Sequence, residues 1–304
     1  MEWLLLALIA PLLWAVVALI DDNLLRGLYR SPVLAALVSG ICGMAPMLSL
    51  VWLNIQPTTV AVVSLAGLAG LLTVVYYYFY FQALEYDAPS VVISLFSLAP
   101  VALPFFAHFL VGENLKIMQI IGFAIVLFFT FMLAAVDVKK FRFSKALLPI
   151  SIAAILLDGV LLSEKYVYQH VNFYSGFMFF SLGMGVGGLL LVILMILRNF
   201  NKPFHFKKSK GLRFIVTALI FVAITEVINI AAEFTSNLAV SKGPVSLVEV
   251  IQNIQPLYML TLALLLYPFF PKYFREARYG RVRFKFLMMA GIMVGVALTV
   301  VGKI

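Results

Sequence analysis

A chain of 304 residues that is 64% hydrophobic and 12% charged, with mean hydropathy +1.08, is too apolar for a water-soluble domain, where about half of the residues are apolar and about a quarter charged. Its net charge of +9 invites a nucleic-acid reading, but the distribution of basic residues along the chain accounts for that charge in another way. One cysteine, Cys42, excludes an intramolecular disulfide.

Ten apolar stretches follow one another: Trp3–Ile20, Val33–Leu53, Ala61–Leu84, Ala88–Val111, Leu115–Val136, Leu147–Tyr168, Phe173–Leu197, Phe214–Val240, Pro244–Phe270 and Phe286–Ile304. A spanning helix needs about 20 mostly apolar residues. In lipid the backbone must satisfy its own hydrogen bonds, so continuous runs of this length are helices. Met1-Glu2 lacks a basic leader and the first stretch is long enough to remain as a span, so no cleavable signal peptide is expected.

The connections alternate in charge. On one side lie Arg26 and Arg30, then Lys139, Lys140, Arg142 and Lys145, then Arg198, Lys202, Lys207, Lys208, Lys210 and Arg213, then Lys272, Arg275, Arg278, Arg281, Arg283 and Lys285; the other side holds only Lys116, Lys165, Lys242 and Lys303. Basic loops stay cytoplasmic, so both termini are expected outside, in a cell-membrane protein. These loops are read as topology signals in contact with lipid headgroups, not as a nucleic-acid surface.

Within the third stretch, six consecutive aromatics, Tyr76 to Phe81, cover the helix all round. Tyr76 and Tyr80 share a face with Thr73 and are candidates to stack on a ring or hold a cation. The fourth stretch carries Ser90, Ser94, Ser97, Pro104 and His108 on one stripe, the pattern of close helix packing. His108, His170 and His205 are scattered, so no metal and no cofactor is expected. Asp158 lies near the middle of the sixth stretch, with Lys165 on the same face toward its far end. Gly183, Gly185 and Gly187 in the seventh, and Gly291 and Gly295 in the tenth, are spaced for tight helix contact; the last pair leaves a homodimer open beside a monomer.

The eighth stretch is the least ordinary. Glu226, Asn229, Glu233 and Asn237 fall on one face of an otherwise apolar helix. A charged side chain at mid-membrane costs about 2.5–3.5 kcal/mol on insertion scales, so this stripe must face other helices or a wet cavity. The ninth stretch adds Glu249, Gln252, Asn253 and Gln255 before Pro256, where a proline removes a backbone hydrogen bond and kinks the helix.

A constant offset sets Ala83-Leu84 on Ala239-Val240, Ser90 on Ser246 and Pro100 on Pro256, and Gly122 corresponds to Gly291. The expected fold is therefore an all-α integral membrane protein of ten transmembrane helices, built as two inverted five-helix repeats, residues 1–140 and 141–304. Inverted repeats are a transporter architecture with the binding site at the midplane between the halves.

The stretch from Gln82 to Gly122 resembles the drug/metabolite transporter superfamily in its ten-span EamA-type branch. It has an Ala-Leu helix end (Ala83-Leu84), a small-residue turn (Ala88–Ser90), a Pro-broken span (Pro100), a Gly-Glu pair (Gly112-Glu113) and an early glycine in the next span (Gly122). The second half departs by lacking the Gly-Glu pair and by inserting 271–285. The resemblance implies an alternating-access carrier of small solutes. Related four-span proteins keep an essential acid in their first helix, and the corresponding helix of the second unit holds Asp158.

The expected function is secondary active transport, as an exporter, of a small organic metabolite, cationic or zwitterionic, coupled to protons. The expected partners are that solute, protons and the lipid bilayer. Candidate site residues are Glu226, Asn229, Glu233, Asp158, Glu249, Asn253, Tyr76 and Tyr80. An ion channel, a membrane-embedded enzyme and a lipid headgroup translocator are the alternatives; no nucleophile–base arrangement supports the enzyme.

Overall fold

The structure, a computed structural model, describes residues 2–29, 31–50, 52, 55–87, 89–96, 103–137, 145–197, 212–268 and 282–301. Among these residues every regular element is helical: α1 Glu2–Leu24, continued by a π-helical turn Leu25–Tyr29, α2 Pro32–Cys42, α3 Ala45–Leu50, α4 Val60–Tyr86, α5 Pro89–Leu95, α6 Leu103–Val111, α7 Ile117–Asp137, α8 Leu147–His170, α9 Phe173–Leu197, α10 Leu212–Lys242, α11 Val245–Gln252, α12 Gln255–Leu266 and α13 Val282–Val301. Six of the described helical stretches are long and apolar enough to cross a membrane: Glu2–Tyr29, Val60–Tyr86, Leu147–His170, Phe173–Leu197, Val216–Lys242 and Val245–Leu266. Pro100 and the basic residues of 138–144, 198–211 and 269–281 lie outside the described residues.

Local chemistry sets the breaks. Thr59 caps α4, its hydroxyl accepting from the Val62 N–H at 3.4 Å. Pro32 opens α2, where its missing N–H costs nothing. The second apolar stretch is interrupted at Gly43-Met44 and the ninth at Asn253-Ile254, just ahead of α12, which has Pro256 in its first turn. Gly112 takes a left-handed φ of 70°, and the Glu113 N–H closes back on Ala107 O at 3.1 Å. That turn stops α6 as a glycine C-cap does and aims the Glu113 carboxylate at the start of α11. The first helix runs past its expected end at Ile20, so Asp21 is helical and buried instead of lying in a loop.

Large apolar side chains on the outer surface stay exposed, among them Leu148, Ile155, Leu197 and Val227. A soluble monomer rarely shows such patches; here they are the lipid face. Inside, α1 packs on α10, α4 on both α8 and α9, α2 on α9, and α7 on α13. The α4–α9 crossing is made at backbone distance. A Cβ on Gly70 would sit 1.9 Å from Phe180 O, and one on Gly183 would sit 2.0 Å from Gly67 O. The last helix uses its glycines within the chain: a Cβ on Gly291 would meet the Phe129 ring, and one on Gly295 would meet Val126, both on α7.

Candidate functional site

The polar stripe of α10 faces inward. Glu226, Asn229, Glu233 and Asn237 are all buried, while Ile220, Phe221, Ile224 and Val227 on the other side are exposed. Against the buried face lies a cavity of about 110 Å³, room for on the order of ten waters or a small organic molecule. Residues from α1, α2, α4, α5, α8, α10, α11 and α12 line it, so both halves of the chain build its wall.

Among the described residues five carboxylates reach this wall, Asp21, Glu164, Glu226, Glu233 and Glu249, and no Lys, Arg or His does. Glu233 Oε1 accepts from Tyr77 Oη at 2.6 Å and from Tyr76 Oη at 3.4 Å. Asn229 Nδ2 donates to Tyr77 Oη at 3.1 Å, which holds that phenol between the two α10 side chains. Glu226 Oε1 accepts from Ser39 Oγ at 2.7 Å, while its Oε2 is buried with no hydrogen-bond partner. An unmet acceptor of this kind costs about 1–3 kcal/mol, more for a charged group. Gln252 Nε2 donates to Ser236 Oγ at 2.9 Å, and Asn253 Nδ2 donates to Glu249 O at 3.0 Å.

Of the residues singled out in the sequence, Glu226, Asn229, Glu233, Glu249, Asn253, Tyr76 and Tyr80 line the cavity. Asp158 does not line it. It is buried, with Oδ1 unpartnered. The cavity-facing stripe of α8 runs instead through Leu157, Val160, Leu161 and Glu164. Three further residues emerge only from the fold: Asp21, Glu164 and Ser39. A sequence signal existed for the first two, because Trp14, Val17 and Asp21, like Leu157, Leu161 and Glu164, sit at helical spacing on one face. Nothing in the sequence marks Ser39. Among the described residues no group of three or more His, Cys, Asp or Glu side chains is arranged to hold a metal ion.

One end of the bundle is stitched by polar contacts. Lys242 Nζ pairs with Glu2 Oε2 at 2.6 Å. The Gln56 N–H donates to Ser175 Oγ at 2.8 Å, and Gln56 Oε1 accepts from the Asn172 N–H at 2.7 Å. Lys165 Nζ donates to Val240 O and Gly243 O at 3.0 and 2.7 Å, covering the carbonyls at the end of α10. Gln169 Nε2 donates to Val111 O at 3.1 Å. The Glu113 carboxylate accepts from the Ser246 N–H at 3.3 and 3.4 Å, at the open N-terminus of α11. Burial pushes the Glu113 carboxyl above the usual glutamate range, against the hydrogen bonds from Ser246 and Val245 and the charge of Lys165, which lower it.

Long apolar helices around a buried, acid-lined cavity indicate a multi-pass membrane protein with an internal cavity. Residues 1–135 match the EamA-like transporter family, whose members are membrane transporters of small solutes. A crystal structure of another protein superposes with a TM-score of 0.69 at 22% identity, covering 98% of this chain and 98% of that one; the likeness is one of fold. No curated protein matches the chain in sequence.

Proposed function

We propose that this protein is a secondary active transporter that moves a small cationic or zwitterionic organic solute by alternating access, in exchange for protons and in the export direction. The carrying observation is the cavity itself: among the described residues, five carboxylates and no basic side chain, enclosed between segments from both halves of the chain. Glu226, Asn229, Glu233, Glu249, Asn253, Tyr76 and Tyr80 would form the solute-binding wall. Asp158 stands outside that wall, within electrostatic reach of Glu249.

Ten spans in two inverted repeats fit the packing. Helix α4 ends at Tyr86 and α5 begins at Pro89; α10 ends at Lys242 and α11 begins at Val245. This is the offset that lays Ser90 on Ser246. Exchanging the halves carries the α1–α10 contact onto the α8–α4 contact and returns α7–α13 and α2–α9 to themselves. Loops assigned to the outside meet one another at one end of the bundle: Gln56 with Asn172, Val111 with Gln169, and Glu113 with Ser246. That this end, with both termini, faces out of the cell membrane rests on the basic residues of the opposite loops.

Proton exchange follows from groups that face each other across the cavity. Glu226 on α10 faces Asp21 on α1, Ser39 on α2, and Tyr29 and Cys42 nearby. Glu233 faces Tyr76 and Tyr77 on α4 and Glu164 and Tyr168 on α8. Glu249 faces Asp158 and Glu164. Carboxylates crowded away from water cannot all be ionised unless a cation joins them. Solute and protons would therefore compete, and protonation would let the empty carrier reorient.

The test is flux in proteoliposomes under an imposed pH gradient, with a panel of organic cations and amino acids. Wild type should move at least one of them against its gradient, and Glu226→Gln or Glu233→Gln should abolish the pH-driven component. Unchanged pH-driven flux in both variants would refute the reading.

A further inference from the structure

We infer that the cavity selects a linear dication, an α,ω-diamine whose terminal ammonium groups bind two carboxylate stations on α10. This rests on the transporter reading for its purpose but concerns the site alone. Glu226 and Glu233 stand two helical turns apart on one face of α10, about 10 Å at 1.5 Å per residue. Each station is doubled: Asp21 lies within electrostatic reach of Glu226, and Glu164 of Glu233. All four side chains line the cavity and are at least 93% buried, with relative exposures of 5%, 5%, 4% and 7% for Asp21, Glu226, Glu164 and Glu233.

A separate observation concerns the Glu226 station. Glu226 Oε2 is a buried acceptor with no partner, although the same carboxylate's other oxygen is satisfied by Ser39. An ammonium group brings three N–H donors and would satisfy Oε2 while reaching a second oxygen. At the other station the Tyr76 hydroxyl reaches Glu233, and the Tyr76 and Tyr80 rings line the cavity, where an aromatic ring can hold a cation. The wall also carries hydrocarbon and ring from Ile93, Phe96, Val160 and Leu161, suited to methylene groups.

The same inventory disfavours the other charge types. A solute carboxylate would meet five acids and no cation, and the Gln252 and Asn253 amides already donate within the protein. A monocation would leave one station's carboxylates facing each other. An extended chain advances about 1.2 Å per bond, by the geometry that gives a backbone about 3.5 Å for three bonds. Some eight or nine bonds between terminal nitrogens therefore match the spacing, as in 1,8-diaminooctane.

The experiment is calorimetric or thermal-shift binding to the purified full-length protein in detergent. The probes are α,ω-diaminoalkanes from four to twelve carbons, with 8-amino-1-octanol and 8-aminooctanoic acid as single-cation and zwitterion controls. Affinity should peak near eight carbons, and 1,8-diaminooctane should bind at least about tenfold tighter than 8-amino-1-octanol, the size of one charge-assisted hydrogen bond. Glu233→Gln should narrow that ratio toward one; the length series on wild type decides the matter even if that variant does not fold. Equal binding of diamine and amino alcohol, or affinity flat with chain length, would overturn the inference. Flux separates the two levels. Pumping of a monocation or zwitterion with no diamine preference would sink only the dication. A sharp length optimum with no flux of any solute would keep the site and sink the transporter.

Discussion

Helix α4 shows two opposite ways of meeting a neighbour. On one side Gly67 and Gly70 bring its backbone against α9, with no room for a Cβ at Gly70 or at Gly183 across the contact. On the other, Tyr76, Tyr77 and Tyr80 line the cavity, and the Tyr76 and Tyr77 hydroxyls reach Glu233 on α10. The first contact is dry and is made by removing side chains. The second is polar and is held apart by them. A single helix thus forms a fixed joint within one group of helices and one wall of a space that can be filled. Membrane helices gain little from hydrophobic burial against each other, so close van der Waals contact between small residues does the holding.

The largest effect should come from forcing the dry joint. In Gly183→Leu the new Cβ would meet the Gly67 carbonyl at 2.0 Å, and backbone cannot step aside as a side-chain tip can. Overpacking a tight core costs about 1–3 kcal/mol and occasionally more; with backbone on both sides, the upper end or beyond is expected. Monodisperse yield and thermal unfolding in detergent should both fall sharply. A variant as stable as wild type would mean that α4 and α9 are not locked together.

The cavity wall should respond in the opposite way, losing function before stability. Tyr77→Phe deletes the 2.6 Å hydrogen bond to Glu233 and the contact with Asn229. A bond to a charged group is worth about 1.5–3 kcal/mol, so solute affinity should drop about tenfold or more, with the melting temperature little changed. Tyr78→Phe, a neighbouring tyrosine outside the cavity lining, is the matched control and should leave binding intact. Equal effects from the two would erase the contrast between the two faces of α4.

How far this contrast could be read from the sequence depends on which physical signal carried it. The α10 stripe was legible because a carboxylate cannot face lipid; burial of Glu226, Asn229, Glu233 and Asn237 follows from their spacing alone. The glycine spacing in α9 likewise announced a tight contact, though not that α4 would be the partner. Asp21 was hidden by a boundary. It sits where the apolar run ends, so it reads as the start of a loop until the helix is seen to continue to Leu24. Glu164 was hidden by phase. Asp158 and Lys165 define one face of α8, and the cavity lies one residue earlier, on the face of Leu157 and Glu164. A shift of one position turns a helix by about 100°, and periodicity does not say which face meets the neighbour. Ser39 carries no sequence signal, since a lone serine in a span is more often a packing residue than a partner for an acid.

The mildest test concerns the stitched end of the bundle, where polar contacts are neither dry nor held open. Glu113 sits at the start of α11 and accepts from the Ser246 N–H, yet burial outweighs those bonds and raises its carboxyl above the ordinary value of 4.5. A carboxyl raised on folding binds more protons in the folded state than in the unfolded one. Stability must then fall as pH rises from the ordinary glutamate value up through the raised one. Glu113→Gln keeps the shape and an acceptor oxygen but cannot ionise. Below the ordinary value the two proteins should melt within about 1 kcal/mol of each other, the scale of one hydrogen bond. Above it, wild type should lose ground to the glutamine variant. Melting curves of both proteins from pH 4 to pH 8 decide it. If wild type instead gains on the variant as pH rises, the helix-end N–H groups dominate over burial, and Glu113 acts there as an ionised cap.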